Sequence, residues 1–156
     1  MGGRTVSISK PGLFRIRVTG HAVSVARTDL AARDHRIMVD EPVERGGTDL
    51  AATPLETMLA AFLSCTNVIA NVVAADLGVT ITGMELSAVG EFDNRAVFGK
   101  ADVPVPFPRI TLSVGLKTDA TPDQIEALRA AVAVRCPMSM ILRQAGTRIE
   151  ETWIAL

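Results

Sequence analysis

Two cysteines, Cys65 and Cys136, stand 71 positions apart in a chain of 156 residues. Neither belongs to a Cys-x-x-Cys pair, and two sulfurs cannot build a disulfide scaffold, so the chemistry open to them is that of free thiols in a reducing compartment. The plain alternative for each is a small core residue. Cys136 is followed by Pro137. If Pro137 opens a helical turn, Cys136 takes the N-cap, where free N–H groups and the positive end of the dipole stabilise a thiolate and lower its pKa. Cys65 falls inside a long helical pattern, on the edge of its apolar stripe beside Met58 and Val72. Half-burial there raises a thiol's pKa. To act as a nucleophile Cys65 therefore needs an outside cation, and arginine suits because it stays charged when partly buried.

Glu56 precedes Cys65 by nine residues, which is about 180° around and about 13 Å along a straight helix. Its carboxylate does not easily serve the Cys65 of its own chain. If both belong to one site, an antiparallel partner helix must carry Glu56 across, which argues for a dimer. The plain role of Glu56 is a helix cap. His21 and His35 lack partners at ligand spacing, so they are surface histidines and no metal is expected. Ser64 and Ser139 have no His and Asp in a hydrolase pattern. Gly46-Gly47 is a turn, not a phosphate loop.

The elements that must position these groups follow from patterning. Hydrophobic residues make up 48%, charged residues 21%, and the net charge is −1, which favours one packed domain over residues 1–156. Aromatics are 4%, with no tyrosine, and near-zero charge also argues against nucleic-acid binding. Residues 1–39 carry seven Lys/Arg against Asp29 and Asp34, a local +5, assigned to the solvated face of strands. Met1 to Ser7 contain no apolar run of the secretory kind, so the expected compartment is the cytoplasm. Thr57 to Ala75 are uncharged over about a bilayer's thickness. Ser64, Thr66, Asn67, Asn71 and the flanking Glu56 and Asp76 make this a buried helix of a soluble protein instead, with no membrane partner.

Phe14 to Thr19 alternate as a half-buried strand, resumed near Val23 and Val25. A polar connection, Arg27 to Asp34, leads to a second strand at 36–39. Thr53-Pro54-Leu55-Glu56 has the cap, the N1 proline and the capping-box acid of a helix start. The pattern runs to Leu77, with Gly78 as its stop, about 36 Å in all. Leu55, Leu59, Phe62, Ile69, Val73 and Leu77 form its apolar stripe; Ala60, Ser64, Asn67 and Asn71 form a small, polar opposite face. A strand over 79–93, bent at Gly83 and Gly90, precedes a proline-rich loop over 94–108. Ile110, Leu112, Val114 and Leu116 alternate as a strand. Thr121-Pro122-Asp123-Gln124 opens a second helix towards Arg135, Met138 to Gln144 form a third ending at Gly146, and 147–156 form a last strand. The irregular order of strands and helices favours an α+β fold over a parallel βαβ sheet.

Asp40-Glu41-Pro42, Gly46-Gly47, Thr53-Pro54-Leu55-Glu56, Leu59-Ala60-Ala61, Ser64-Cys65-Thr66 and Arg135-Cys136-Pro137 together resemble the OsmC/Ohr family of thiol-dependent peroxidases, in its OsmC-like branch. The match covers about residues 33–156. The resemblance implies an intertwined homodimer, with antiparallel sheets wrapped around two long central helices and active sites at the subunit interface. It implies that Cys65 attacks an organic hydroperoxide and becomes a sulfenic acid, and that Cys136 resolves it as a disulfide. A dithiol, from a lipoylated protein or a small thiol, then restores the enzyme, with no cofactor. A family arginine of the N-terminal hairpin activates the thiolate; Arg33 matches it best and Arg27 is the other candidate. Glu56 matches the glutamate that steadies this arginine, set one residue further from the proline than in the hydroperoxide-resistance branch. The loop from Val97 to Phe107 is suited to wall a greasy peroxide pocket. The alternative is a dimeric ligand-binding or redox-sensing module of the same fold without efficient turnover.

Overall fold

Between Ala32 and His35 only Arg33 and Asp34 are available to reverse the chain, which demands a two-residue hairpin with positive φ. In the computed structural model, which describes residues 11–156, Arg33 has φ 56° and makes that turn. The stretch Met1 to Ser7 lies outside the described residues. The described residues divide into two compact units, 11–60 and 61–156.

In the first unit, β1 (Thr19–Ala22), β2 (Thr28–Ala32) and β3 (His35–Val39) form an antiparallel sheet in that order. Two expectations change here. Among the described residues the run from Phe14 to Val18 pairs with no strand and is exposed, and the first strand begins at Thr19; β2 lies inside the stretch assigned to a polar connection. Val23 and Val25 belong to the turn that Val23 N–H closes on Arg27 O at 2.9 Å.

The sheet leads into a loop organised by one carboxylate. Asp40 is fully buried and accepts hydrogen bonds from Thr48 Oγ1 (2.6 Å), Thr48 N (3.0 Å), Glu41 N (2.9 Å) and Leu50 N (3.3 Å). The Thr48 hydroxyl and these amides outweigh desolvation and hold its carboxyl down at about 2. A single 3-10 turn, Val43–Arg45, ends at Gly46 with φ 84°. A Cβ on Gly47 would lie 1.7 Å from the Glu41 carbonyl oxygen, so only glycine fits. Because the carboxyl is depressed below its usual 3.8, it stabilises the fold above that value, and the stability is lost as pH falls towards about 2. Asp40→Asn is therefore expected to lower the urea midpoint at pH 7, and the gap from wild type should close on acidification through that window. An equal gap at both pH values would count against this role.

Helix α1 (Pro54–Leu77) starts with the expected capping box. Thr53 N–H donates to Glu56 Oε2 at 2.8 Å, and Glu56 N–H donates to Thr53 Oγ1 at 3.3 Å. Gly78, at φ 67°, follows its last residue. The helix buries Phe62, Thr66, Ile69, Ala70, Val73 and Ala74 and leaves Ala60, Ser64 and Asn67 exposed, close to the predicted division, although Leu77 is exposed as well. By length and composition α1 could also cross a bilayer; 28% of its most apolar stretch is buried.

The second unit adds β4 (Ile81–Glu91), β5 (Arg109–Thr118), α2 (Pro122–Arg135), α3 (Pro137–Gln144) and β6 (Arg148–Ala155), with strand order β4-β5-β6. β4 and β5 are antiparallel; their register slips between Ile81 and Gly83, whereas Gly90 pairs in register with Ile110. Ile110, Leu112, Val114 and Leu116 alternate into the core, which also takes Ile125, Leu128 and Val132 of α2 and Leu142 of α3. β6 runs parallel to β5. This corrects the expectation of purely antiparallel sheets. Parallel neighbours need a crossover, and α2 with α3 supplies it. The architecture is α+β, with two three-stranded sheets and three α-helices among the described residues.

Candidate active site

Cys136 sits where two helices meet. It is the C-cap of α2 and the N-cap of α3. Its N–H donates to Val132 O at 2.9 Å, and its carbonyl accepts from Met140 N at 3.0 Å. Proline at the first position of α3 makes this break, because Pro137 cannot continue α2. The Cys136 side chain is 0% exposed. Across 71 residues of sequence the fold makes Cys65 a neighbour of Cys136, close enough to bear on its thiol. Cys65 is half-buried on α1, as expected. Both sulfurs belong to the second unit.

The electrostatics of Cys136 reverse one expectation. The N–H groups of Ser139 and Met138 face its sulfur and favour the thiolate, though neither closes a cap hydrogen bond. Burial outweighs them and, with the neighbouring Cys65, pushes the thiol from about 9 up to about 11. The helix N-terminus therefore does not make Cys136 a thiolate at neutral pH. It is a protonated thiol closed off from solvent.

The other candidates lie in the first unit. Arg33 is exposed at its hairpin turn and lines a groove with Arg15, Arg17, Thr19 and Ala31. Among the described residues it forms no ion pair. Arg27 is held by Asp29 through two bonds, Nε to Oδ1 at 2.9 Å and Nη2 to Oδ2 at 3.0 Å. That hydrogen-bonded pairing raises the Arg27 pKa and lowers that of Asp29. Of the two arginines, Arg33 has its charge uncommitted. The Glu56 carboxyl is lowered by the Thr53 amide, then by the Thr53 hydroxyl, with a smaller pull from Arg45; it is engaged as the cap. His21 and His35 are exposed.

Two apolar members of the loop over 94–108, Val97 and Phe98, are exposed, whereas Phe107 is buried against Phe92 with ring centroids 5.2 Å apart. A cleft of about 510 Å³ between α2 and β6 is lined by Ile125, Arg129, Glu151 and Trp153 among others, and by neither cysteine. Residues that the motif pattern did not single out surround the α2–α3 junction. The Ser139 hydroxyl donates to Ala133 O at 3.1 Å and accepts from Arg143 Nε at 3.2 Å. Arg143 also binds Glu151. Ser139 drew notice only as a nucleophile without a triad; the signal that bears on it is Pro137, which removes a backbone donor two residues earlier.

The family model described as OsmC-like protein matches residues 47–152. Among curated proteins none matches the chain. Solved structures share the fold at low identity. An OsmC-like protein from Mycoplasma pneumoniae has TM-score 0.78 and 16% identity, over 92% of this chain and 98% of that one. An organic hydroperoxide resistance protein OsmC from Legionella pneumophila has TM-score 0.66 and 17% identity, over 93% and 98%. The organic hydroperoxide resistance protein OhrB of Bacillus subtilis has TM-score 0.62 and 18% identity, over 93% and 100%.

Proposed function

This chain belongs to the OsmC-like protein family, and from that premise we propose that it is a cytoplasmic thiol-dependent peroxidase that reduces organic hydroperoxides through a two-cysteine cycle. The observation that carries the proposal is the adjacency of Cys65 and Cys136 inside one compact unit. Some structural relatives are named organic hydroperoxide resistance proteins, which supports the substrate class.

In the first step the Cys65 thiolate attacks the distal peroxide oxygen. An S–O bond forms, the O–O bond breaks, and the alkoxide takes a proton to leave as an alcohol. Cys65 is then a sulfenic acid. In the second step the Cys136 sulfur attacks the Cys65 sulfur, and the sulfenic hydroxyl leaves with the Cys136 proton as water. The product is a Cys65–Cys136 disulfide. A dithiol, from a lipoylated protein or a small thiol, reduces it by exchange and takes the oxidising equivalents away. The assignment of roles follows burial: Cys65 is partly accessible, whereas Cys136 is enclosed and protonated.

Arg33 is assigned the cation that stabilises the Cys65 thiolate and the leaving oxygen; its uncommitted guanidinium favours it over Arg27. Glu56 is assigned the acid that steadies Arg33. Both assignments assume a homodimer in which residues 1–156 form one domain per protomer. Two features support the dimer. The small-residue face of α1 is exposed, and Phe14 and Ile16 are 66% and 80% exposed, apolar groups that a partner surface would cover.

One observation favours the second reading, a dimeric ligand-binding or redox-sensing module. The Glu56 carboxylate is committed to the Thr53 cap. Purified protein mixed with cumene hydroperoxide and excess dithiol separates the two. Rapid, protein-dependent peroxide loss over many turnovers is expected, and its absence would leave the non-catalytic module.

A further inference from the structure

Pro137 has no amide hydrogen. The carbonyl of Ala133, four residues earlier, therefore lacks the donor that an uninterrupted helix would supply. Ser139 fills that gap. Its hydroxyl, buried at the α2–α3 junction, donates to Ala133 O at 3.1 Å. The same oxygen accepts from Arg143 Nε at 3.2 Å. Arg143 is bound in turn to Glu151, whose side chain is 5% exposed. Glu151 also accepts from Trp153 Nε1 at 3.1 Å and lies 3.8 Å from Arg129. Glu151 is enclosed while Arg143 stays partly exposed, and the chain Ser139–Arg143–Glu151 ties the first turn of α3 to β6. The main-chain N–H of Ser139 faces the Cys136 sulfur. One residue thus repairs the break made by the proline with its side chain while its backbone borders the thiol.

We infer that Ser139, held by Arg143 and through it by Glu151, is a positioning residue that fixes the Cys136 sulfur against Cys65 for disulfide formation. The inference rests on the two-cysteine reading above and adds to it how the resolving sulfur is kept in place. A disulfide forms only within a narrow range of Cβ separation and dihedral angle. A small shift of the α2–α3 turn therefore costs a large share of the effective concentration of one thiol at the other. Replacing Ser139 by alanine leaves Ala133 O unpaired and frees Arg143, and the turn that carries Cys136 loses its fixed setting.

The test needs no peroxide. Reduced protein is equilibrated with oxidised and reduced glutathione. The two protein thiols give two electrons and two protons to one glutathione disulfide, forming one protein S–S bond and releasing two molecules of glutathione. The position of equilibrium measures the effective concentration of Cys136 at Cys65. Ser139→Ala is expected to lower it about tenfold, the scale of one buried hydrogen bond. Ser139→Thr, which keeps the hydroxyl, should stay within about threefold of wild type on the same scale. Urea midpoints measured alongside show that each variant is folded. An unchanged equilibrium in Ser139→Ala, or a loss that Ser139→Thr does not restore, overturns the inference. A wild-type protein that equilibrates with glutathione as expected but consumes no hydroperoxide defeats the peroxidase reading alone.

Discussion

Cys65→Ser is expected to remove hydroperoxide consumption, with kcat/KM lower by at least about a thousandfold, the scale on which loss of a nucleophile acts. A thiol is a few per cent ionised at neutral pH and intrinsically nucleophilic, whereas a serine hydroxyl without an adjacent base is not. No other sulfur can take over, because the second cysteine is 0% exposed and its pKa is raised to about 11. The exchange of sulfur for oxygen at a half-buried helical position should leave the fold intact, which far-ultraviolet circular dichroism checks. Peroxide remaining is followed against time with excess dithiol. Undiminished steady-state consumption by the variant would defeat the assignment of Cys65 as attacking sulfur.

Cys136→Ser should behave differently. The first step needs only Cys65, so one equivalent of peroxide per chain should still be reduced in a burst at the wild-type rate. Steady-state turnover should then fall by about a hundredfold, since a dithiol must reach a half-buried sulfenic acid instead of an internal partner. The trapped species is a sulfenic acid, captured by dimedone and read by mass spectrometry. The pairing also predicts how the step responds to pH. Cys136 is held mostly protonated in the neutral range, its pKa raised to about 11, and the thiolate is the attacking form, so the internal step should quicken as pH rises from about 6 to about 8. Sustained turnover of Cys136→Ser at the wild-type rate would mean that the reductant meets Cys65 directly, and the resolving role would be lost.

Much of the framework was legible in local residue patterns. Thr53-Pro54-Leu55-Glu56 and Thr121-Pro122-Asp123-Gln124 each encode a helix start by short-range hydrogen bonds, and both capping boxes are present. The strict alternation from Ile110 to Leu116 needs one buried face and has it. β2 left no such mark, because all five of its residues are half-buried and none alternates. Phe14 to Val18 alternate without pairing among the described residues; amphipathicity says which side is apolar, not whether a neighbour's backbone lies alongside. The parallel sense of β6 was hidden for a related reason, since periodicity carries no direction.

For the candidate site, residue types and motif spacing singled out both sulfurs as candidates but could not make them neighbours. Their adjacency depends on a crossover between β5 and β6 that no local window contains. The acidity of Cys136 went the other way from expectation because the cap position is a local property and burial is not. The structural part Ser139 plays was hidden for the same reason. A serine two residues after a proline is unremarkable until the orphaned carbonyl of Ala133 is seen.

The tie between Trp153 and Glu151 has a practical consequence. Trp153 is the sole tryptophan and the chain has no tyrosine, so near-ultraviolet light excites essentially one emitter. Its indole is joined through Glu151, Arg143 and Ser139 to the turn bearing Cys136. The protein thus contains its own fluorophore tied into the network around Cys136, and stopped-flow emission can follow the proposed oxidation of that thiol without an attached dye.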